Sequence, residues 1–255
     1  MTTPEGTGRA ATGPVRLRDA FDDPDVKRRY VGRLFTTIAG RYDLITRLLS
    51  FGLDRRWKRR LMALAAPRPD DRVLDLACGT GDLAALAAAA GARVVGLDLT
   101  ERMIALARRR PDADPGTAWV VGDMTALPVS GEGFDLVTTG YGLRNVPDLP
   151  RALAEIHRVL RPGGRLLSLD FNRPESAVVR AVYLGYLTVV GSGLGLILHG
   201  DADTYRYIPA SIRRYPGAAG VVRLMTDAGF VEARARPVLG GLMTVHVARR
   251  GPASD

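Results

Sequence analysis

The run VLDLACGTGDLA, residues 73–84, changes character halfway along. Val73, Leu74, Leu76 and Ala77 form an apolar stretch carrying one acid, Asp75; Gly79-Thr80-Gly81 then breaks it, and an alanine-rich segment follows. Such a run reads as a buried parallel strand, a tight turn and a helix N-terminus. Lacking Cβ atoms, Gly79 and Gly81 let the backbone bend sharply and let a ligand approach it. A second apolar strand, RVVGLDLT, places Asp98 near its end, seventeen residues after Gly81. An acid there, in an open α/β sheet, is placed to bind a ribose diol. Together the two features predict a nucleoside ligand across the carboxyl ends of the strands.

The turn is Gly-Thr-Gly rather than the dinucleotide G-x-G-x-x-G, because position 84 is Ala84. A nucleoside without phosphate is therefore favoured over a pyrophosphate. Asp75 argues the same way, since a carboxylate in the turn suits a cationic amino acid and repels phosphate. The pattern D-L-A-C-G-T-G-D resembles the S-adenosylmethionine (SAM) loop of class I methyltransferases. That resemblance implies a Rossmann-like α/β fold with SAM as methyl donor and no metal. The expected cofactor residues are Asp75, Gly79, Thr80, Gly81, Asp98, Leu99, Asp123, Met124 and Gly140. Asp123, in GDM after the third strand, is placed to accept from the adenine exocyclic amine. It also suits a helix N-cap or turn, and both roles can hold at once.

A chain of 255 residues, 46% hydrophobic, can bury one substantial core without a second domain. Its single cysteine excludes a disulfide framework and a multi-cysteine metal site, and fits a reducing compartment. Cys78, inside the turn, reads as a small packing residue. No basic-apolar-small signal pattern opens the chain, so the cytoplasm is the expected location, with the inner face of a membrane as a narrower option. A net charge of +9 would suit an anionic partner, yet the arginines are spread in short runs such as Arg108-Arg109-Arg110 and Arg213-Arg214. The charge by itself decides nothing.

Residues 1–22, rich in Gly, Thr, Pro and Ala, read as a flexible arm, and residues 23–250 as a single domain. Helical periodicity from Val26 to about Leu64 predicts helices ahead of the first strand, where a lid over the cofactor would lie. Strands are expected at 72–77, 93–98, 117–121, 134–139 and 165–171, with a late pair near 230–237 and 242–248. Helices are expected near 81–90, 100–109, 149–160 and 218–228. The alternation predicts a mostly parallel, doubly wound sheet with a late antiparallel strand. Pro162-Gly163-Gly164 reads as a stop before the fifth strand. Ala181–Leu198 is uncharged and apolar over 18 residues, at the lower edge of a membrane-spanning length. Gly185, Gly191, Gly193 and Gly195 weaken a spanning reading. Two alternatives remain: a helical insertion after the fifth strand, forming an apolar wall that touches a bilayer, and a buried helical hairpin.

Marks of several methyl-transfer chemistries are missing. The N/D-P-P-Y/F/W turn of amino-group methylation is replaced after the fourth strand by Gly140-Tyr141-Gly142-Leu143-Arg144-Asn145, and no cysteine stands there for cytosine ring chemistry. The segments YDLITRLLSFGLDRRWKR, GYGLRNVPD, HRVLRPGGRLLSLDF and DADTYRYIPASIRRYPG, running from Tyr42 towards His246, resemble the ubiquinone/menaquinone-biosynthesis C-methyltransferase family. The resemblance implies C-methylation of a polyprenylated quinol, demethylmenaquinol to menaquinol. It implies Arg144 and Asn145 at the ring oxygen, with Tyr42, Tyr141, Tyr205 and His246 as candidates for shaping or protonating the ring site. Arginine stays protonated, so Arg144 suits stabilising a phenolate rather than acting as a base. The chain departs from the family's pattern at Leu44-Ile45-Thr46, at Asp54 where a histidine is frequent, at Asp170-Phe171-Asn172, and after His246. These departures bear on substrate identity. Other readings are a methyltransferase of specialised aromatic or polyketide scaffolds, and an RNA-binding methyltransferase or non-catalytic SAM-binding protein. A specific nucleic-acid partner is not expected; a peripheral membrane contact and a homodimer are left open.

Overall fold

Strand and helix alternate from Arg72 to Phe171 in the computed structural model, which describes residues 17, 19–50, 52–201 and 204–253. Most of the expected arm, residues 1–16 and 18, lies outside the described residues, as do Phe51, Ala202 and Asp203. Asp19–Phe21 form a 3₁₀ turn that buries Ala20, and Phe21 stacks on Tyr207 with centroids 5.7 Å apart.

Three helices precede the sheet: α1 (Pro24–Ile38), α2 (Tyr42–Leu49) and α3 (Asp54–Ala65). The Asp23 carboxylate accepts from the backbone N–H of Asp25 and Val26, and Pro24 follows at the first helical position, where its missing N–H costs nothing. The core elements follow as β1 (Arg72–Leu76), α4 (Asp82–Ala88), β2 (Arg93–Asp98), α5 (Glu101–Arg108), β3 (Ala118–Val121), β4 (Phe134–Gly140), α6 (Leu149–Val159) and β5 (Leu160–Phe171). After them come α7 (Ala177–His199), α8 (Tyr207–Arg214), α9 (Gly217–Asp227), β6 (Phe230–Val238) and β7 (Met243–Arg250).

The seven strands run in the order β3-β2-β1-β4-β5-β7-β6. The pairs from β3 to β5 are parallel, and β7 is antiparallel to both β5 and β6. The chain order reverses between β1 and β4, and ligands of such sheets lie at the carboxyl ends beside that reversal. Successive β1 side chains serve opposite layers: Leu74 and Leu76 join Leu153 and Ile156 of α6 and Val221 and Met225 of α9, whereas Val73 joins Trp57 and Leu61 of α3 and Leu83 and Ala84 of α4. Both faces are covered, which is why the strands read as unbroken apolar runs.

Two elements differ from the sequence reading. The fifth strand starts at Leu160, because Pro162-Gly163-Gly164 is absorbed as an irregularity: Phe134 pairs with Leu160, whereas Leu136 pairs with Arg165. The apolar stretch is one helix of 23 residues, α7, and not a hairpin. Its glycines do not break it, because Gly191 and Gly195 are buried, and a Cβ on Gly191 would already stand 3.2 Å from Tyr205 Cβ.

The glycine turn is held tight by an indole. Gly81 has φ +87°, and a Cβ there would lie 2.7 Å from Trp119 Cη2; a Cβ on Gly96 would lie 2.5 Å from Cζ3 of the same ring. With Gly81 on one side, Trp119 cannot move away from a methyl on the other. Gly96→Ala is therefore expected to lower unfolding free energy by ~1–3 kcal/mol in a urea titration, and adding Trp119→Leu is expected to recover part of it.

Candidate active site

The helices ahead of β1 close over the carboxyl ends of the strands, and polar contacts tie them there. Lys27 on α1 donates to the carbonyl of Val146 at 2.6 Å and to that of Arg144 at 3.3 Å, which fixes the loop after β4. Burial and the nearby Arg144 charge lower the Lys27 pKa to about 8. One turn position on, Arg28 pairs with Asp123 at 2.9 Å after β3. On α2, Asp43 accepts from the Thr80 hydroxyl at 2.7 Å in the glycine turn. The lid is thus linked to the loops after β1, β3 and β4.

Two cavities lie beneath it. The larger, with about 630 Å³ of empty volume, is lined by apolar side chains of α1 and α2, by Trp57, and by Tyr42, Tyr141, Tyr205, Tyr207, Arg144 and Asn145. The smaller, about 420 Å³, is lined by Leu97, Leu99, Asp123, Met124, Gly142 and again Asn145, with Arg28 and Val31 above. Asn145 is therefore the shared wall. Its Nδ2 donates to the Tyr141 carbonyl at 2.7 Å, while its buried Oδ1 has no hydrogen-bond partner. A buried carbonyl without a donor is costly, and a ligand hydroxyl or amine would relieve it.

On the smaller cavity's side, Asp98 gathers the glycine turn. One carboxylate oxygen accepts from Gly79 N at 2.9 Å, and the other from Thr100 N at 2.9 Å and the Thr100 hydroxyl at 3.0 Å. Burial pushes its carboxyl above the usual range, against these N–H groups. Gly140 closes β4 close to α4, where a Cβ would lie 3.2 Å from Leu83 Cδ1. Asp123 also accepts from Thr125 N at 2.8 Å, so it holds its own turn as well as Arg28. Of the residues expected at the cofactor, Leu99, Asp123 and Met124 line the smaller cavity, whereas Gly79, Thr80, Gly81, Asp98 and Gly140 line neither cavity. Asp75 is likewise set back from both cavities. It is 1% exposed, faces α4, and accepts from Ala84 N at 3.1 Å and the Thr138 hydroxyl at 2.8 Å. It braces the start of α4 and lines neither cavity; burial raises its pKa to about 7.

At the larger cavity, Arg144 sits on a 3₁₀ turn, Leu143–Asn145, after β4. Its Nε donates to Asp170 Oδ1 at 3.3 Å, its backbone N–H to Asp170 Oδ2 at 3.0 Å, and its Nη1 to the Ser211 hydroxyl at 2.5 Å. The guanidinium lies 5.2 Å from the Phe171 ring centroid. Ion pair, hydroxyl and ring together fix where its remaining donors point. Tyr141, at a strained φ of +62°, gives its hydroxyl proton to Asp54 Oδ1 at 2.7 Å. Asp54 in turn pairs with Lys58 at 2.8 Å, and Lys58 with Asp82 at 2.7 Å. Burial opposes the Lys58 charge, but Tyr42, Asp54 and Asp82 around it raise its pKa. Tyr42 stands over the turn, within 3.7 Å of where a Gly79 Cβ would be, and burial pushes its pKa to about 12. The Tyr205 hydroxyl is already engaged with His199 at 2.9 Å.

Sequence reasoning did not find Arg28, Lys27 or the Asp54–Lys58 pair. The last has a local signal, an acid and a lysine four apart on one helix face; the first two join segments about a hundred residues apart and leave none. It also over-read His246. That ring is fully buried on β7, its Nδ1 3.3 Å from the Ser168 hydroxyl, and it lines neither cavity. Burial lowers its pKa to about 4. In the unfolded chain a histidine protonates near pH 6.5, so between about 6.5 and 4 protons favour the unfolded state. His246→Asn is expected to flatten the loss of stability over that window by a few kcal/mol, read as urea midpoints at stepped pH.

Known proteins resemble this chain over most of its length. A "demethylmenaquinone methyltransferase" of Thermus thermophilus is 42% identical over 220 residues, 85% of this chain and 100% of that protein. A "ubiquinone/menaquinone biosynthesis C-methyltransferase UbiE" of Dinoroseobacter shibae is 40% identical over 227 residues, 87% of this chain and 91% of that one. In fold, a SAM-dependent methyltransferase of Thermotoga maritima, described as a possible histamine N-methyltransferase, superposes with TM-score 0.62 at 22% identity, covering 86% and 99% of the two chains. The model of the ubiE/COQ5 methyltransferase family matches residues 24–250, nearly everything described, and the chain belongs to that family.

Proposed function

We propose that this chain transfers the methyl group of SAM to a ring carbon of a polyprenylated quinol, taking demethylmenaquinol to menaquinol. The observation that carries the reading is the shared wall. The smaller cavity, beside Asp123, and the larger apolar one meet at Asn145, with Arg144 beside it in the apolar one. The names of the Thermus and Dinoroseobacter relatives support the same chemistry. SAM, when bound, supplies an electrophilic methyl on a sulfonium. Gly79, Thr80, Gly81, Asp98, Leu99, Asp123, Met124 and Gly140 hold its nucleoside and turn, and Asp75 keeps that turn in shape from behind.

The rest is done by the chain's own groups. A quinol oxygen that loses its proton becomes a phenolate, and Arg144, permanently charged and held by Asp170 and Ser211, stabilises that charge. Because Tyr141 already donates to Asp54, its oxygen offers only lone pairs to the cavity, which suits a quinol hydroxyl and not a quinone carbonyl. Replacing a ring hydrogen by methyl releases one proton. The line Tyr141, Asp54, Lys58, Asp82 leads from the cavity to an exposed groove beside Arg110. Tyr42 and Tyr205 shape the walls and, by burial, keep their hydroxyl protons near neutral pH. The experiment is incubation with labelled SAM and reduced demethylmenaquinone, the product located by mass spectrometry. A methylated ring supports the reading. No transfer, from protein that binds SAM, would move the substrate to another aromatic scaffold.

A further inference from the structure

One face of α7 has no partner. Val178, Val182, Gly185, Val189, Gly193 and Leu196 recur at steps of three and four, so they form a single stripe along a helix of roughly 35 Å. Val182 is 70% exposed, Val189 72% and Ile197 79%, with no charged side chain among them. On the neighbouring helix α2, Leu44 and Leu48 are also exposed. The opposite side of α7 is fixed: Leu184 and Leu187 pack on Ile212 of α8, and Val190, Leu194 and Leu198 pack on Ile38, Ile45, Leu49 and Tyr205. Several of those last residues line the larger cavity. Although α7 is long and apolar enough to cross a membrane, this docking holds it flat against the body.

The rim of the stripe is basic. At its N-terminal end Arg173, Arg180 and Arg213 surround a groove floored by Ala177, Ala181, Leu184 and Gly185. Arg173 donates from one guanidinium nitrogen to the backbone carbonyl of Arg213, and Arg180 from one nitrogen to those of Pro174 and Glu175. None of the three has a carboxylate partner among the described residues. At the other end Arg41 donates to the Leu198 carbonyl, and Arg47 is exposed on α2. Among the described residues the acids in these flanks are Glu175, Asp201 and Asp43, the last accepting from the Thr80 hydroxyl.

We propose that this face docks on a bilayer containing anionic phospholipid, the stripe of α7 with Leu44 and Leu48 lying in the interface and the Arg173–Arg180–Arg213 groove holding a lipid phosphate. An apolar stripe with a cationic border is the pattern of helices that lie in that interface. A second copy fits less well. Two-fold pairing of α7, parallel or antiparallel, would bring one arginine-bearing end against another. The docking stands on its own; a consequence that rests on the quinol reading is that a prenyl tail passes between α2 and α7 straight from lipid to the ring cavity.

The test is flotation of the whole protein with vesicles of phosphatidylcholine alone, or with a third phosphatidylglycerol. Binding is expected to the anionic vesicles and to be at least tenfold weaker to the neutral ones. Arg173→Ala with Arg180→Ala and Arg213→Ala is expected to weaken it ~100-fold or more. Val182→Asp with Val189→Asp, both exposed and outside the site, is expected to abolish it while methylation of a short-tailed, water-soluble quinol is unchanged. Wild-type protein that ignores both vesicles, or binds them equally with and without the arginines, overturns the proposal. So does a wild-type dimer that Val182→Asp splits. Failure to methylate the short-tailed quinol would count against the proposed function and leave the vesicle result to stand separately.

Discussion

Arg144→Ala is expected to lower turnover ~10²- to 10³-fold while SAM affinity stays within about a factor of two. The rate effect is that of removing a fixed donor aimed at developing oxyanion charge. The SAM effect is small because Arg144 lines the larger cavity and not the one beside Asp123. The substitution also has a structural cost. Asp170 is fully buried, and burial already pushes its carboxyl above the ordinary range, so removing the guanidinium leaves an uncompensated buried acid worth about 3–5 kcal/mol. Arg144→Lys separates the two effects. It keeps a charge beside Asp170, so the fold is expected to persist, but one ammonium cannot reproduce the fork that reaches Asp170 and Ser211 together. Turnover of the lysine variant is expected to stay at least tenfold down. Calorimetric titration of SAM into both variants checks the division: if Arg144→Ala lost SAM as badly as Asp98→Ala, the assignment of Arg144 to the ring site would be wrong.

Asp98→Ala is expected to have the opposite profile, with SAM binding weakened ~10- to 100-fold and the chemistry of whatever SAM still binds little changed. Two charge-assisted bonds, from Gly79 N and Thr100 N, disappear together, and with them the ribose contact proposed for this carboxylate. The glycine turn then loses its tether to β2, so part of the loss is of a prepared shape rather than of a contact. Asp98→Asn keeps two acceptor lone pairs on one oxygen and is expected to retain more affinity than the alanine variant. Single-turnover rates at saturating SAM distinguish a binding defect from a chemical one.

What the sequence disclosed depended on range. β1, β2 and β4 lie within a residue or so of their expected bounds, because a strand buried on both faces must be apolar along its whole length. Gly79 and Gly81, both at positive φ, are legible because a tight turn between strand and helix needs that residue type at that spacing. The sequence places β5 late because Pro162-Gly163-Gly164 signals a stop locally, while its pairing with β4 is decided across the sheet. The glycines of α7 suggested a break for the same local reason, and Tyr205 against Gly191 shows what overrode it. Asp75 and His246 mark the other limit. A carboxylate in a turn and a histidine near a site both look functional in one dimension, and only the third shows that each faces inward, one to Ala84 and Thr138, the other to Ser168.

The place of β7 has a consequence for biosynthesis. Met243–Arg250 form an inner strand, hydrogen-bonded to β5 on one side and β6 on the other. Until those residues leave the ribosome, β5 presents a bare edge and β6 has no neighbour at all. A nascent chain with its methyl-donor half already formed thus carries an unpaired apolar strand, the kind of edge that recruits other chains. Its safety during synthesis depends on how quickly the final eight-residue strand threads into that gap.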